Sequence, residues 1–248
     1  MSGDEGLWMR TIGKYRAYDG RAYSVEFDKV SGLLKAKGCR VAKLKQVMGP
    51  FPGNPEDEKE LESESREMRK LMYMLKGQDS WNEICKFNRT LSPSSKENFW
   101  RTLIMDRDDS HFWLNESYDI ISPAPKEFGS MAQVAFGEQQ PPTDFLPHAP
   151  LSNRTSQFSL PFRRAVEMAS SNRGFFTTEC TQMGIGPYCA QSGDEVAVLF
   201  GSPLFVILRQ VETSGIYQLV GDAYLHGAMH GELVTGRAEE ELEVITLR

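Results

Sequence analysis

RGFFTTECTQMGIGPYCAQSGDEVAVLFGSPLFVILRQVETSGIYQLVGDAYLHGAMHGE, residues 173–232, alternates short apolar runs with glycine-based punctuation. Gly174–Cys180 reads as a strand carrying Phe175 and Phe176. Gly184-Ile-Gly186-Pro187 and Gly193-Asp194 read as turn clusters. Glu195–Phe200 and Leu204–Arg209 flank Gly201-Ser202, the pattern of a tight hairpin. Both hairpin strands are apolar on both faces, with Val196, Val198 and Phe200 on one and Ala197 and Leu199 on the other. Burial on both faces predicts a closed barrel packed against something else, such as helices. Ile216–His226 follows as a long strand, and Leu242–Leu247 as a last one.

Working outward, Pro161–Asn172 predicts a helix with Phe162, Val166 and Met168 or Ala169 inward and Pro161 near its first turn. Residues 111–156 hold two proline clusters and many polar residues, and predict a loop-rich insert. Ser94 and Ser95 cap a predicted helix over ENFWRTLIMDRD, with Phe99, Trp100, Leu103 and Ile104 facing a core. Ser80–Asn88 has helix-compatible spacing. Asn54, Pro55 and the acids that follow predict a helix start, with a stripe of Leu61, Met68, Leu71, Met72 and Leu75. Leu33–Val47 is interrupted by Gly38 and reads as two short strands on a basic background of Lys35, Lys37, Arg40, Lys43 and Lys45. That run predicts a solvated strand face, because no aromatic interleaving accompanies it. Residues 1–22 read as a loose or extended lead-in with Trp8, Tyr15 and Tyr18 as anchors.

The fold class that results is α+β, a helical layer with a C-terminal antiparallel, barrel-like β module. Its parts are a lead-in with short strands (1–53), a helical region (54–110), the insert (111–156), a helix with the β module (157–236) and a terminal strand or tail (237–248). The 248 residues carry a net charge of −6, which argues against a general nucleic-acid binder. No apolar run reaches the ~18–20 residues of a membrane helix, and the start has no signal-peptide pattern. Cys39, Cys85, Cys180 and Cys189 are scattered without a CxxC, so reduced thiols and a cytoplasmic location are expected.

Chemistry has few footholds. Gly184 and Gly186 are not a phosphate-binding fingerprint, because Pro187 follows at once and β structure flanks them. Asp222, His226, His230 and Glu232 form the most enzyme-like set. On a strand, Asp222, Tyr224 and His226 share a face, but Asp222 and His226 lie about 13 Å apart, beyond hydrogen-bond reach. His226 and His230 have the spacing of a helical metal pair, yet Gly227 and Gly231 disfavour a helix there. Neither a metal nor a cofactor is expected.

FFTTECTQMGIGP, SGDEVAVLFGSPLFVILR and YQLVGDAYLHGAMHGE together resemble the C-terminal module of fungal heterokaryon-incompatibility (HET-domain) proteins. The matching positions include Phe176, Thr178, Gly184, Gly186, Pro187, Gly193, Asp194, Gly201, Leu208, Arg209, Gly221, Tyr224, His226, Gly227, Met229, Gly231 and Glu232. LLKAKGCRVAKLKQV and ENFWRTLIMDR are similar to two upstream motifs of these proteins. The departures are Ala42 where an Asp is common, Cys180-Thr181 in place of Lys-Gly, and His230 where an acid is usual. The signatures of the N-terminal HET domain itself are not found here, so no NAD-cleaving activity carries over.

The resemblance implies a non-enzymatic binding or regulatory protein in fungal non-self recognition or cell-death control, with a protein partner such as a full-length relative or incompatibility factor. Its site candidates are Asp194, Arg209, Tyr224, His226 and Glu232, with Arg209 as the anchor for an acidic group, or else as a structural partner of Glu232. The alternative is a small hydrolase or metal-dependent enzyme using His226 with Cys180 or Cys189.

Overall fold

A computed structural model describes residues 15–22, 24–49, 78–106, 127–142, 148–211, 215–238 and 242–248. The helix expected to start at Asn54 and the anchor Trp8 lie outside these. The described residues form two compact units. One joins the residues up to 49 to those from 172 onward, and the other takes the middle of the chain.

The first unit is an eight-stranded sheet. Its strands are β1 (Val25–Asp28), β2 (Leu33–Met48), β3 (Arg173–Thr178), β4 (Met183–Pro187), β5 (Glu195–Leu199), β6 (Phe205–Val211), β7 (Ile216–Leu225) and β8 (Glu243–Leu247). Antiparallel pairing runs β2–β3–β4–β7–β6–β5, and β5 pairs back onto β2, closing a near-barrel ring. β1 flanks the start of β2. β8 lies between β2 and β7, antiparallel to the first and parallel to the second. Closure leaves few exposed edges, which suits apolar strands.

β2 is one strand of 16 residues, not two short ones. Gly38 does not interrupt it, because the position faces the partner backbone: a Cβ there would lie 2.2 Å from the Val198 carbonyl oxygen. Only glycine permits β5 to approach that closely. The ladder irregularities fall instead between Arg40 and Ala42 against β5 and between Leu44 and Gln46 against β3.

β4 likewise replaces the expected turn at Gly184–Pro187. It pairs with β3 along its whole length and with β7 at Gly184 and Ile185. The glycines serve packing. A Cβ on Gly184 would lie 2.3 Å from Phe176 Cζ, and one on Gly186 would lie 3.1 Å from Phe176 Cε1. The Phe176 ring occupies the space that side chains at both positions would take.

β5 and β6 are buried on both faces at their facing residues, as the apolar pattern predicts. Register places Val196 and Val198 with Ile207 and Phe205 on one face. On the other, Ala197, Val206, Leu208, Tyr217, Ile245 and Leu247 form a core cluster with Leu34 and Leu199. Each fully buried aliphatic or aromatic side chain there contributes roughly 1.5–3 kcal/mol.

The second unit is helical. α1 covers 78–90. α2 (Pro93–Leu103) starts with Pro93 in its first turn, after Ser92, and buries Phe99, Trp100, Thr102 and Leu103. α3 (Glu127–Ala135) and the start of α4 (Leu151–Ser170) put helix inside the expected loop-rich insert of 111–156, of which 111–126 and 143–147 lie outside the described residues. Proline clusters mark the segments before these helices but not the helices themselves: α3 carries Phe128, Ala132 and Val134 to the interior. Pro161 sits inside α4 rather than at its first turn. The core is aromatic, with Phe162 edge-on to Trp100, Phe128 and Phe136 at centroid distances of 6.3, 6.2 and 5.9 Å.

Candidate functional site

The five sequence candidates fall in two places on the barrel. Tyr224 lies near the end of β7, opposite Ile185 of β4. Its hydroxyl is 3.0 Å from His226 Nδ1, so the shared face holds. The His226 backbone N–H donates to the Met183 carbonyl at 2.9 Å. The chain then turns through Gly227 (φ +72°) and Gly231 (φ +95°), conformations that favour glycine. Glu232 folds back and accepts from the His230 N–H at 2.7 Å.

An unexpected segment completes this end. Residues 15–21 are a strap rather than a loose lead-in. The Tyr15 ring lies 6.1 Å from Tyr224 and 6.1 Å from His230. The Arg16 N–H donates to the Met229 carbonyl at 2.9 Å, and the Ala17 N–H to the Pro203 carbonyl at 3.1 Å. Tyr15 stands out as an aromatic anchor in the sequence, but its partners are more than 200 residues away and leave no local signal.

Asp194 and Arg209 are elsewhere. Arg209 pairs with Gln218 on β7, six residues before Tyr224, or about 20 Å along an extended strand. Its Nε donates to Asp194 Oδ1 and its Nη2 to Oδ2, each at 2.8 Å. Nη2 also donates to the Cys189 carbonyl at 2.8 Å. Asp194 is 4% exposed and also accepts the Gln191 N–H. Arg209 therefore pairs with Asp194, not with Glu232. The bidentate hydrogen bonds to Asp194 hold its pKa above the ordinary value, against some desolvation. The pair pins the 188–194 loop, which is also tied to β2: Gly193 N–H donates to the Leu44 carbonyl and Leu44 N–H to the Asp194 carbonyl.

Of the enzyme-like set, Asp222 is engaged by a residue of β3. Asp222 accepts from Arg173 Nη2 at 3.0 Å, across β4. Burial lowers the Arg173 pKa, and Asp222 offsets part of that. Cys189 follows the far end of β4 from His226, while Cys180, in the turn leading into β4, lies at the same end. No two of the four cysteines form a disulfide. Among the described residues no group of three His, Cys, Asp or Glu side chains is placed to hold a metal ion.

Residues 130–245 match the Het-6 beta-barrel domain. Over a shorter stretch the chain is similar to heterokaryon incompatibility protein 6, OR allele, of Neurospora crassa, at 35% identity over 72 residues. That stretch is 28% of this chain and 11% of the relative. No solved structure matches the chain. The Het-6 beta-barrel match runs from within α3 to within β8, and β2, which precedes it in sequence, closes the ring.

Two further features of the chain escape a sequence reading. Within the ring, Arg40 Nη1 contacts Glu195 Oε2 at 3.0 Å and the Tyr217 hydroxyl at 2.6 Å, while its Nε donates to Glu243 Oε1 at 2.8 Å. One residue of the basic run thus ties β2 to β5, β7 and β8, while Lys35, Lys43 and Lys45 stay exposed. Burial, then the Glu195 charge, pushes the Tyr217 phenol above its ordinary value despite Arg40. In the helical unit a half-open cleft of about 660 Å³ is lined by Trp100, Phe136 and Gly129, with Lys96, Glu138 and Asn88 among its polar groups. Buried Asn88 donates to Glu138 at 2.6 Å, and Lys96 pairs with the same carboxylate. Its cations and anions pair with each other, Lys96 with Glu138 and Arg101 with Glu97.

Proposed function

We propose that this protein is a non-catalytic binding and regulatory module of the heterokaryon-incompatibility type, acting with a protein partner in fungal non-self recognition or cell-death control. The Het-6 beta-barrel match links the chain to incompatibility proteins. The observation that carries the binding reading is the arrangement at the end of β7. Tyr224, His226 and Glu232 gather with loops that already hold a peptide segment by backbone hydrogen bonds. Asp194 and Arg209 satisfy each other some 20 Å away by strand spacing, which suits a structural clasp better than part of one catalytic constellation.

The test is expression of the chain in a Neurospora crassa strain that is then paired with a compatible one. Expression should lower heterokaryon formation or viability of the fused cells. Replacing His226 and Glu232 by Ala should remove the effect at unchanged protein level. Heterokaryon formation indistinguishable from the empty-vector control would refute the reading.

A further inference from the structure

A turn-forming segment of the chain lies across this end of the ring. Four subsites line up along residues 15–21. The first is aromatic: Tyr15, 4% exposed, packs against Tyr224 and His230. The second is methyl-sized: Ala17 is 0% exposed, and its N–H reaches the Pro203 carbonyl. The third accepts a turn. Asp19 (φ +54°) and Gly20 (φ +68°) reverse the chain, with the Asp19 N–H donating to the Arg16 carbonyl. Gly231 lies directly against that turn, where a Cβ would be 2.8 Å from Asp19 Cβ and 3.0 Å from its Cα. The fourth takes a guanidinium. Arg21 Nη2 donates to the carbonyls of Val234 at 3.3 Å and Arg237 at 3.0 Å, and its Cζ lies 5.4 Å from the Phe200 ring centroid.

The groups that receive this segment come from the end of β7 and from two loops, 200–204 and 226–237, and include the backbone carbonyls of Pro203, Met229, Val234 and Arg237. When a folded domain holds a peptide segment, main-chain hydrogen bonds give affinity and side-chain pockets give specificity. Met229 contributes twice: its carbonyl takes Arg16, and its sulfur takes the Leu225 N–H at 3.2 Å, which holds the loop in shape.

We infer that this end of the barrel is a peptide-binding cradle for a Tyr-x-Ala-x-Asp-Gly-Arg segment, filled in cis by residues 15–21 and able to take the same sequence in trans once the cis copy is displaced. The inference does not depend on the role in incompatibility. A tethered segment acts at a millimolar effective concentration, so the wild-type cradle stays filled by the cis copy below millimolar free peptide, whereas a strap-released chain is left open to the peptide.

The experiment uses the full chain carrying Ala17→Glu, which fills the methyl-sized subsite with a charge, and the capped octapeptide YRAYDGRA, residues 15–22. Hydrogen exchange is followed in three regions: the strap (15–22), the receiving loop (226–237) and the hairpin (195–211). The strap should exchange at least about tenfold faster than in wild type while the hairpin is unchanged, as for local opening. Millimolar octapeptide should restore protection to the receiving loop of the variant and leave wild type unaffected. A peptide with Tyr15 and Arg21 replaced by Ala should not. If Ala17→Glu also exposes the hairpin, Arg21→Ala takes its place, with a smaller acceleration of about tenfold or less and the same peptide response. A strap that stays as protected as wild type in both variants overturns the inference, as does a released strap whose loop ignores the octapeptide. Failure of the heterokaryon assay alone leaves these exchange outcomes untouched.

Discussion

Gly184→Ala separates the strand at β4 from the turn that its glycines suggest. A Cβ at 184 would lie 2.3 Å from Phe176 Cζ, 2.7 Å from Phe176 Cε2 and 2.5 Å from the Tyr224 carbonyl oxygen. Ordinary carbon contacts begin near 3.5 Å, so both neighbours must move. The ring can shift, but the carbonyl belongs to β7, and moving it opens the Gly184–Leu225 and Ile185–Tyr224 pairs. The cost should reach the upper end for overpacking, about 3 kcal/mol. Gly186→Ala meets only side chains, with Phe176 Cε1 at 3.1 Å and Ile207 Cγ1 at 3.6 Å, and should cost about 1 kcal/mol. Phe176→Leu shortens the obstructing ring. Combined with Gly186→Ala it should couple favourably by about 1 kcal/mol. Combined with Gly184→Ala it should leave a deficit of about 2 kcal/mol, because the carbonyl contact persists. Urea titration read by hydrogen exchange on peptides from 173–225 measures the barrel apart from the helical unit. A Gly184→Ala protein within about 0.5 kcal/mol of wild type, as a turn in open space allows, would refute the packing account. Full rescue by Phe176→Leu would refute the role given to the Tyr224 carbonyl.

Arg209→Met should destabilise the barrel by about 3 kcal/mol, since it leaves a nearly buried Asp194 carboxylate without its cation. Asp194→Asn should cost nearer 1 kcal/mol, because Arg209 is one-third exposed and can turn to water; equal losses in urea melts would contradict that asymmetry. The Tyr217 phenol, held above the ordinary tyrosine value, favours the protonated folded state. Its contribution is complete below the ordinary value and is lost as pH rises through the raised one. Ultraviolet titration of wild type against Tyr217→Phe reads that step, and Arg40→Gln should move it higher still, because Arg40 acts to lower it. Pro161→Ala should stabilise the helical unit by about 1–3 kcal/mol by restoring an internal hydrogen bond of α4; a lower urea midpoint would show instead that the proline bend is needed for packing.

Residues 195–211 show how far local pattern reaches. Two runs apolar on both faces around Gly201-Ser202 are legible as a doubly buried hairpin, because alternation and turn chemistry are properties of neighbours in the chain. The ordered motif from Phe176 to Glu232 was legible as family, and the comparisons agree with it. Tyr224 and His226 were legible as one face, since strand geometry puts i and i+2 together.

What only the tertiary structure decided are contacts between residues far apart in the chain. Gly38, Gly184 and Gly186 look like breakers in sequence, yet each sits in a strand where a distant carbonyl or ring takes the place of its side chain. Arg209 had Glu232 as its expected structural partner, and the register of β5 against β6 gave it to Asp194 instead. Residues 15–21 have no local periodicity, and became a strap because loops near residues 203 and 229 offer carbonyls to their amides. The stretch from Arg173 to Glu232 thus specified its hairpin and its likeness to known proteins. The ring closed only when β2, more than a hundred residues upstream, supplied the backbone that β3 and β5 both lacked.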